Sequence, residues 1–301
     1  MRRILLLIFV VTSGISFAQN DPLISNYMFT PITMNPAFAG QTKAMNGLLL
    51  VREQWVGFNE APSTQLINFD TQVDKLGGVG FSIMNDKLGY EQALSFNLIY
   101  SKKFLLDEIS SISAGASFGL MNKALDASKL RYESPVDNKG IFANQSEFAV
   151  NFDLGALYTR KDLRVGLSST HLFNSKSNST IFNVPRHFYA FSDYKIKAKD
   201  RIDIIPSVLL KSSPVRKQIE VSALALLDQK YWGGLSFRNG DAVSILLGMS
   251  FMKYYSFGYS YDLNLGSVNG YSSGSHEIFV RFNMIKADKP YMFYKSPRFF
   301  N

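Results

Sequence analysis

Apolar and polar residues alternate with a period of two along most of this chain, beginning at about Asn46. In the stretch Ser110–Met121, apolar side chains alternate with serine and glycine. The stretches 148–158, 241–251 and 253–262 repeat this pattern. Because successive side chains of a β-strand point to opposite faces, these stretches are predicted to be strands with one apolar face and one small or polar face.

The alternating segments are about ten residues long and recur about fourteen times along the chain. Tilted strands of that length span a bilayer in outer-membrane barrels, so the pattern favours an all-β, transmembrane antiparallel β-barrel of about fourteen strands. A soluble β-sandwich would also alternate, and it is kept as an alternative. The predicted strands are 46–56, 63–73, 77–85, 89–103, 108–121, 147–159, 162–171, 186–197, 200–211, 216–227, 230–238, 241–251, 253–263 and 275–284.

The lengths of the connections favour the barrel over the sandwich. The three longest connections are the fifth (122–146), the seventh (172–185) and the thirteenth (264–274). In an even-stranded barrel with both chain ends in the periplasm, odd-numbered connections face outward and carry the long loops. A sandwich gives no reason for long connections to be only odd-numbered.

Both ends of the chain differ from this pattern. Residues 1–18 are predicted to be a signal peptide, with two arginines, a short apolar run and a small-residue cleavage site, whereas a short membrane anchor is the alternative. Its removal lowers the formal net charge from +8 to +6.

The remaining chain is predicted to have three parts: an irregular segment at residues 19–45, the barrel at 46–284, and a basic, aromatic tail at 285–301. We expect the tail to pack on the periplasmic mouth or pair with a partner, with a disordered end as the alternative.

The sequence offers little catalytic chemistry. The chain contains no cysteine, and its histidines, at positions 171, 187 and 276, have no metal-ligand spacing. We interpret Asp153 and Asp262 as polar lumen residues rather than an acid–base pair. The positive charge is spread along the chain, which is not a nucleic-acid footprint and suits an anionic outer surface or an acidic partner. We therefore expect no enzyme activity, no cofactor, no metal site and no nucleic-acid partner.

The region 19–58 carries two dense motifs, Asn35-Pro36-Ala37-Phe38-Ala39-Gly40 and Arg52-Glu53-Gln54-Trp55-Val56-Gly57-Phe58. With them, the chain resembles the PorP/SprF family of outer-membrane proteins from the type IX secretion and gliding machinery of Bacteroidetes. Further matching stretches occur in the same order along the chain: 27–29, 61–65, 78–80, 85–89, 186–189, 231–238, 241–243, 259–262, 274–278 and 296–300.

This resemblance implies a protein of the outer membrane of a Gram-negative bacterium that works in secretion rather than catalysis. The implied partners are outer-membrane lipid, the C-terminal domain of a secreted adhesin-like cargo and, for some members of the family, a periplasmic peptidoglycan-binding protein. A barrel that transports small solutes is the alternative function, because a lumen lined by serine, glycine, asparagine and aspartate would admit water.

The irregular segment is where we expect the functional contacts. Residues 19–40 contain Pro22, Pro31 and Pro36 and precede every predicted strand, so we hypothesise that they fill the lumen as a plug. A flexible periplasmic N-terminus is the alternative. Trp55 and Phe58 are placed at the first outward turn, as membrane-interface aromatics or partner contacts. The candidate plug or partner contacts are Asn35, Pro36, Phe38, Gly40, Arg52, Trp55, Gly57, Phe58, Asp262, His276 and Glu277.

Overall fold

A computed structural model describes residues 21–130, 143–173, 184–252, 254–265 and 270–285. The predicted signal peptide 1–18, residues 19–20 of the irregular segment, the tail beyond Ile285 and parts of the predicted connections 122–146, 172–185 and 264–274 lie outside the described residues. Within the described ranges, no helix is long and apolar enough to cross a membrane.

The described chain folds into one antiparallel sheet in which each segment pairs with its neighbours in sequence, except that β8 and β9 both pair with β10 and not with each other. Its segments are β1 (Ala44–Glu53), β2 (Ser63–Val73), β3 (Gly77–Leu88), β4 (Glu91–Leu105), β5 (Ser110–Leu125), β6 (Gln145–Arg160), β7 (Leu163–Thr170), β8 (His187–Tyr194), β9 (Ile196–Lys199), β10 (Ile202–Ser212), β11 (Lys217–Leu227), β12 (Tyr231–Arg238), β13 (Ala242–Phe251), β14 (Tyr255–Asn264) and β15 (Ser275–Ile285).

The sheet closes into a barrel because β15 pairs with β1, with Arg52 directly opposite Glu277. Segments β8 and β9 both pair with β10, and β9 continues the line of β8 after a break at Lys195. The fifteen segments therefore form fourteen barrel strands, which confirms the predicted fold class. Closure also leaves the sheet without a free edge, the condition for a β-structure inside lipid.

The break between β8 and β9 lies opposite Pro206. This residue pairs with Ala223 of β11 on one side of β10. On the other side, the register with β8 ends at Ser207 and the register with β9 resumes at Ile204. Since proline has no N–H to donate, the interruption falls where one ladder hydrogen bond is already missing.

The barrel is apolar outside and largely polar inside. Leu98 and Leu247, at the centres of β4 and β13, are 56% and 54% exposed. Ser244 and Ser260, on the opposite face of the sheet, are fully buried. A water-soluble barrel would have the reverse arrangement, whereas an apolar outer band around a polar interior is the pattern of a barrel surrounded by lipid.

The two ends of the barrel differ in their connections. Long connections join the strands at one end, hereafter the loop end: residues 54–62, 126–144, 171–186 and 265–274. Connections of two to four residues join them at the other end, hereafter the turn end: residues 74–76, 106–109, 161–162, 200–201, 228–230 and 252–254. Three short connections also lie at the loop end: residues 89–90, 213–216 and 239–241.

Strand β1 is shorter than the sequence pattern predicts. It was expected at 46–56 but runs from Ala44 to Glu53. Trp55 has a φ of 49°, which cannot continue an extended strand, and the Gln54 N–H donates to the Pro62 carbonyl at 2.9 Å. Both Trp55 and Phe58 therefore belong to the first connection at the loop end.

The outward apolar face generates a prediction about stability in lipid. Replacing Leu98 with arginine places a charge at the middle of β4, near the bilayer midplane, and should lower the free energy of unfolding by about 2–4 kcal/mol. Phe104→Arg, on the same outward face at the turn end of the strand, should lower it by about 0–1 kcal/mol. Denaturant titration in phospholipid vesicles measures both, and equal losses would contradict a lipid-facing β4.

Candidate functional site in the barrel lumen

Residues 21–43, hereafter the lumen segment, lead into β1 at Ala44; residues 21–41 lie inside the barrel, and Thr42 and Lys43 are exposed at its mouth. The segment consists of three single 3-10 turns, Tyr27–Phe29, Pro31–Thr33 and Pro36–Phe38, joined by irregular backbone. A proline begins the second and third turns, where the N–H that it lacks would have no helical partner. The side chain of Asn35 caps the third turn by accepting the Ala37 N–H at 2.9 Å.

The lumen segment is hydrogen-bonded to strands on all sides of the barrel. The hydroxyl of Tyr27 lies 2.9 Å from that of Ser207 on β10 and 3.1 Å from that of Ser222 on β11. The side-chain amide of Asn35 donates to carbonyl oxygens of β6 and β7 at 3.0 and 3.2 Å. Other bonds reach Asn68 on β2, Ser101 on β4 and Ser168 on β7. Because these strands lie on different sides of the wall, the segment occupies the lumen between them.

Aromatic packing accompanies these hydrogen bonds. The ring of Phe29 packs against both Trp232 and Phe279, with centroids 5.2 and 4.8 Å away, and those two rings also stack on each other. Phe38 meets Phe191 edge to face at 5.6 Å. The inner face of the barrel wall is therefore apolar where Phe29 and Phe38 contact it. The burial of these two rings helps to hold the lumen segment against the wall.

Close backbone approach fixes the segment near the turn end. Gly40 has a φ of 62°, which favours glycine, and a Cβ there would collide with the backbone of Gly78 on β3. The Gly40 N–H also donates to the carboxylate of Asp70 at 2.8 Å. Glycine is thus required at this position for two reasons, backbone conformation and space.

Toward the loop end, the segment is held by a buried set of charged side chains, hereafter the charge network: Arg52, Glu220, Arg238, Asp262 and Glu277. Arg52 pairs with Asp262 at 2.7 Å and with Glu277 at 3.2 Å. Arg238 pairs with Glu220 at 2.9 Å and lies 3.5 Å from Asp262. All five are at most 5% exposed, so each charge depends on its partners rather than on water.

The charge network binds Ser25 and Asn26 of the lumen segment. The Ser25 hydroxyl donates to Asp262 at 2.8 Å and accepts from Arg52 and Arg238, each at 3.0 Å. The backbone N–H groups of Ser25 and Asn26 donate to Glu277 at 2.9 and 2.8 Å. The wall carboxylates thus satisfy backbone donors that the irregular segment cannot satisfy itself.

The first described residue of the segment has a separate attachment. The Asp21 carboxylate lies 3.0 Å from Nε2 of His171 and accepts the Tyr189 hydroxyl at 2.6 Å. Burial raises the pKa of Asp21, but the charges of His171, His187 and Lys211 outweigh burial and hold this pKa well below its ordinary value. Burial lowers the pKa of His171, but the Asp21 carboxylate outweighs it and raises this pKa. The Asp21 side chain thus attaches the start of the lumen segment to the residue that follows β7 and to Tyr189 on β8.

A cavity of about 160 Å³ remains between the lumen segment and the wall. It is lined by apolar side chains such as Ile32 and Met84 and by charged ones such as Asp86, Lys123 and Lys211. Most of the charged lining residues lie near the loop end of their strands. The cavity could hold water or a small ligand, but the lumen segment forms one of its walls.

The candidate residues from the sequence separate into two groups. One group lies in the lumen, either on the lumen segment or on the wall that contacts it: Asn35, Pro36, Phe38, Gly40, Arg52, Asp262 and Glu277. The other lies at the loop end outside the lumen: Trp55, Gly57, Phe58 and His276. His276 follows the inward-facing Ser275, so its ring points outward, where Nδ1 lies 2.7 Å from the Tyr259 hydroxyl.

Several contact residues were not among those candidates. Glu220 and Arg238 lie on the inward, polar face of alternating strands. A charged residue at an inward position was therefore the signal in the sequence that could have identified them. Ser25 and Asn26 stand in an aperiodic stretch and give no comparable signal. His171 and His187 are distant in sequence, and only strand pairing brings them to Asp21.

The charge network generates a second prediction. Arg52→Gln removes the cation that lies between Asp262 and Glu277. Because the two buried carboxylates then lose the positive charge that compensates them, the free energy of unfolding should fall by about 3–5 kcal/mol. The lumen segment should also become more accessible to protease in this variant. The matched control is Lys87→Gln, which breaks an exposed pair with Glu60 and should change stability far less. Similar losses for both variants would contradict a structural role for the network.

Comparison with solved structures supports the fold. The chain is similar to the Ralstonia pickettii toluene transporter TbuX, with a TM-score of 0.51 and 11% identity over 84% of this chain and 92% of that one. It is similar to the CymD monoaromatic hydrocarbon channel, with a TM-score of 0.50 and 11% identity over 84% and 91%. No curated protein sequence matches the chain. At such identity, these likenesses establish an outer-membrane barrel fold and nothing about the ligand.

The family is established by sequence. The family described as "Type IX secretion system membrane protein PorP/SprF" matches residues 16–282, which include the lumen segment and nearly all of the barrel. Together with the lipid-facing barrel, this match places the chain in the outer membrane. The chain belongs to the PorP/SprF family of type IX secretion system membrane proteins.

Proposed function

We propose that this type IX secretion barrel supports the export of a secreted adhesin-like cargo and holds its C-terminal domain at the cell surface. One observation carries the proposal: the lumen is occupied by the chain's own segment, which the charge network attaches to the wall. A filled lumen suits a rigid membrane support better than a solute channel. The proposed role is one of binding and involves no enzymatic step.

The loop end is the face that we propose for the cargo domain. The first and last connections meet there, since the Val56 N–H donates to the Gly274 carbonyl at 2.9 Å and the Ser273 N–H to Val56 at 2.7 Å. Phe58 is 42% exposed and Tyr271 is 77% exposed on these two connections. Exposed aromatic side chains on a supported surface are frequent anchors of protein–protein interfaces. Trp55 and Gly57 belong to the same surface.

For the turn end, we propose contact with periplasmic parts of the secretion machinery, including a peptidoglycan-binding protein. Family membership supports this partner class. The basic, aromatic tail beyond Ile285 follows the last strand at this end, and its pairing with a partner stays a prediction.

Solute transport is the second candidate function, and the cavity of about 160 Å³ is the observation that favours it. In this alternative, the lumen segment would move aside or leave a path along β3 to β6. The two candidates differ in the conductance that they require of the intact protein.

Conductance in planar bilayers therefore tests the role of the lumen segment. The full mature chain should conduct little, and deletion of residues 21–40 should open a pore, because the wall behind the segment is mostly polar. Heat-modifiable gel mobility would verify that the shortened barrel is folded. If the full chain conducts as strongly as the deletion variant, the solute-channel function is favoured and the filled-support proposal fails.

Cargo retention tests the loop end. The probe is the C-terminal signal domain of a type IX cargo from the same genome, fused to a fluorescent protein and measured on intact cells. Phe58→Ser combined with Tyr271→Ser should weaken retention about tenfold or more, as expected for the loss of interface anchors.

The matched control changes two exposed apolar residues of the turn end, Leu76→Ser and Tyr254→Ser, which are 52% and 47% exposed in the parent chain. This control should retain the cargo domain, provided that both variants reach the outer membrane in equal amounts. Equal retention by the loop-end variant and the parent chain would contradict docking at that surface.

A further inference from the structure

Three potential metal ligands converge where the lumen segment meets the wall: Asp21, His171 and His187. One ligand atom from each lies within 4.8 Å of the other two. The Asp21 carboxylate is 3.0 Å from Nε2 of His171 and 3.4 Å from Nδ1 of His187. Two imidazoles and one carboxylate are a ligand set that zinc and similar first-row divalent cations accept.

Strand pairing explains why no sequence spacing reveals the cluster. Thr170, the last residue of β7, pairs with His187, the first residue of β8. His171 follows Thr170 directly, so the long connection between the two strands brings both histidines to the same place at the loop end. Asp21 arrives from the lumen segment, far away in sequence.

The environment of His187 points independently to a ligand. Its side chain is 1% exposed, and Nδ1 has no hydrogen-bond partner among the described residues. Nε2 of the same ring accepts the Asp21 N–H at 3.5 Å, so Nδ1 faces the Asp21 carboxylate at 3.4 Å without a well-aligned hydrogen bond, and a cation bound between the two would satisfy both. In addition, the Tyr189 hydroxyl donates to Asp21 at 2.6 Å, the kind of outer-shell bond that orients a ligating carboxylate.

The spacing and surroundings allow tetrahedral coordination. Zinc bonds of about 2.0–2.1 Å separate neighbouring ligand atoms by about 3.3–3.4 Å. Here Oδ1 of Asp21 lies 3.0 Å from Nε2 of His171 and Oδ2 lies 3.4 Å from Nδ1 of His187, so the carboxylate faces each histidine with a different oxygen. All three residues line the cavity, which leaves space for water at a fourth position. Lys211 is nearby, but its ammonium donates to the backbone carbonyl of Asp21 at 2.7 Å, and the carboxylate of Asp153 lies beside His171.

We propose that Asp21, His171 and His187 form a binding site for a zinc-class divalent cation, which fastens the start of the lumen segment to β7 and β8. The site would add a second attachment to that made by the charge network. It is independent of cargo docking, because it concerns the attachment of the segment inside the barrel.

Zinc binding by the untagged, full-length mature protein in detergent tests the site, measured by competition with a chromophoric chelator. The parent chain should bind one zinc ion at this site, whereas calcium, which prefers oxygen ligands, should not compete. His171→Ala and His187→Ala should each weaken binding about 100-fold or more, since loss of an outer-shell partner alone weakens binding about 10–100-fold. Tyr189→Phe should fall in that smaller range.

The matched control is His276→Ala, which removes the outward-facing third histidine and should leave zinc binding unchanged. Asp21→Asn provides a variant of nearly the same shape if a histidine variant does not fold, and it should also weaken binding. Zinc should further slow proteolysis of the lumen segment in the parent chain and not in Asp21→Asn. Absence of zinc binding by the parent chain, or full binding by Asp21→Asn, would overturn the proposal.

Discussion

The ion pairs of Arg52 with Asp262 and Glu277 are the interaction on which the rest of this structure depends. They join β1, the last two strands β14 and β15, and the lumen segment. Arg52 stands on β1 directly opposite Glu277 on β15, so the pair lies at the junction that closes the barrel. The same carboxylates bind Ser25 and Asn26 of the lumen segment. Because these charges are shielded from water, each loses its compensation when a partner leaves. Barrel closure and lumen filling are thus coupled at one place.

This coupling follows from the inverted polarity of a barrel in lipid. Apolar side chains must face outward, so the inward positions carry serine, aspartate, glutamate and arginine, and these groups need water or polar partners. Here the lumen segment supplies many of the partners from its backbone and from Ser25, Asn26 and Asn35. Its proline-rich, irregular backbone is tolerable because the wall satisfies its polar groups in return. Such a filled barrel is consistent with a support for secretion.

The fold was largely predictable, and the site only in part. Strand Ser63–Val73 was predicted with its observed bounds, and Ser110–Leu125 was predicted as 108–121, both from alternation. The end of β1 was misplaced because Trp55 leaves the extended conformation without interrupting the apolar pattern. Asn35 and Gly40 were identified by resemblance, and the structure gives their physical roles, a turn cap and a close approach. Asp21, Glu220 and Arg238 were missed because a polar lumen residue and a site residue look alike in sequence.

By itself, the sequence determined the membrane barrel, the number of its strands and the position of its long connections. Those properties depend on the two-residue period and on turn residues, which are local. Only the tertiary structure decided which inward side chains meet across the lumen. Arg52 and Glu277 are 225 residues apart in sequence, and Ser25 and Asp262 are 237 apart. Barrel closure and the path of the lumen segment set these contacts, and no local pattern encodes them.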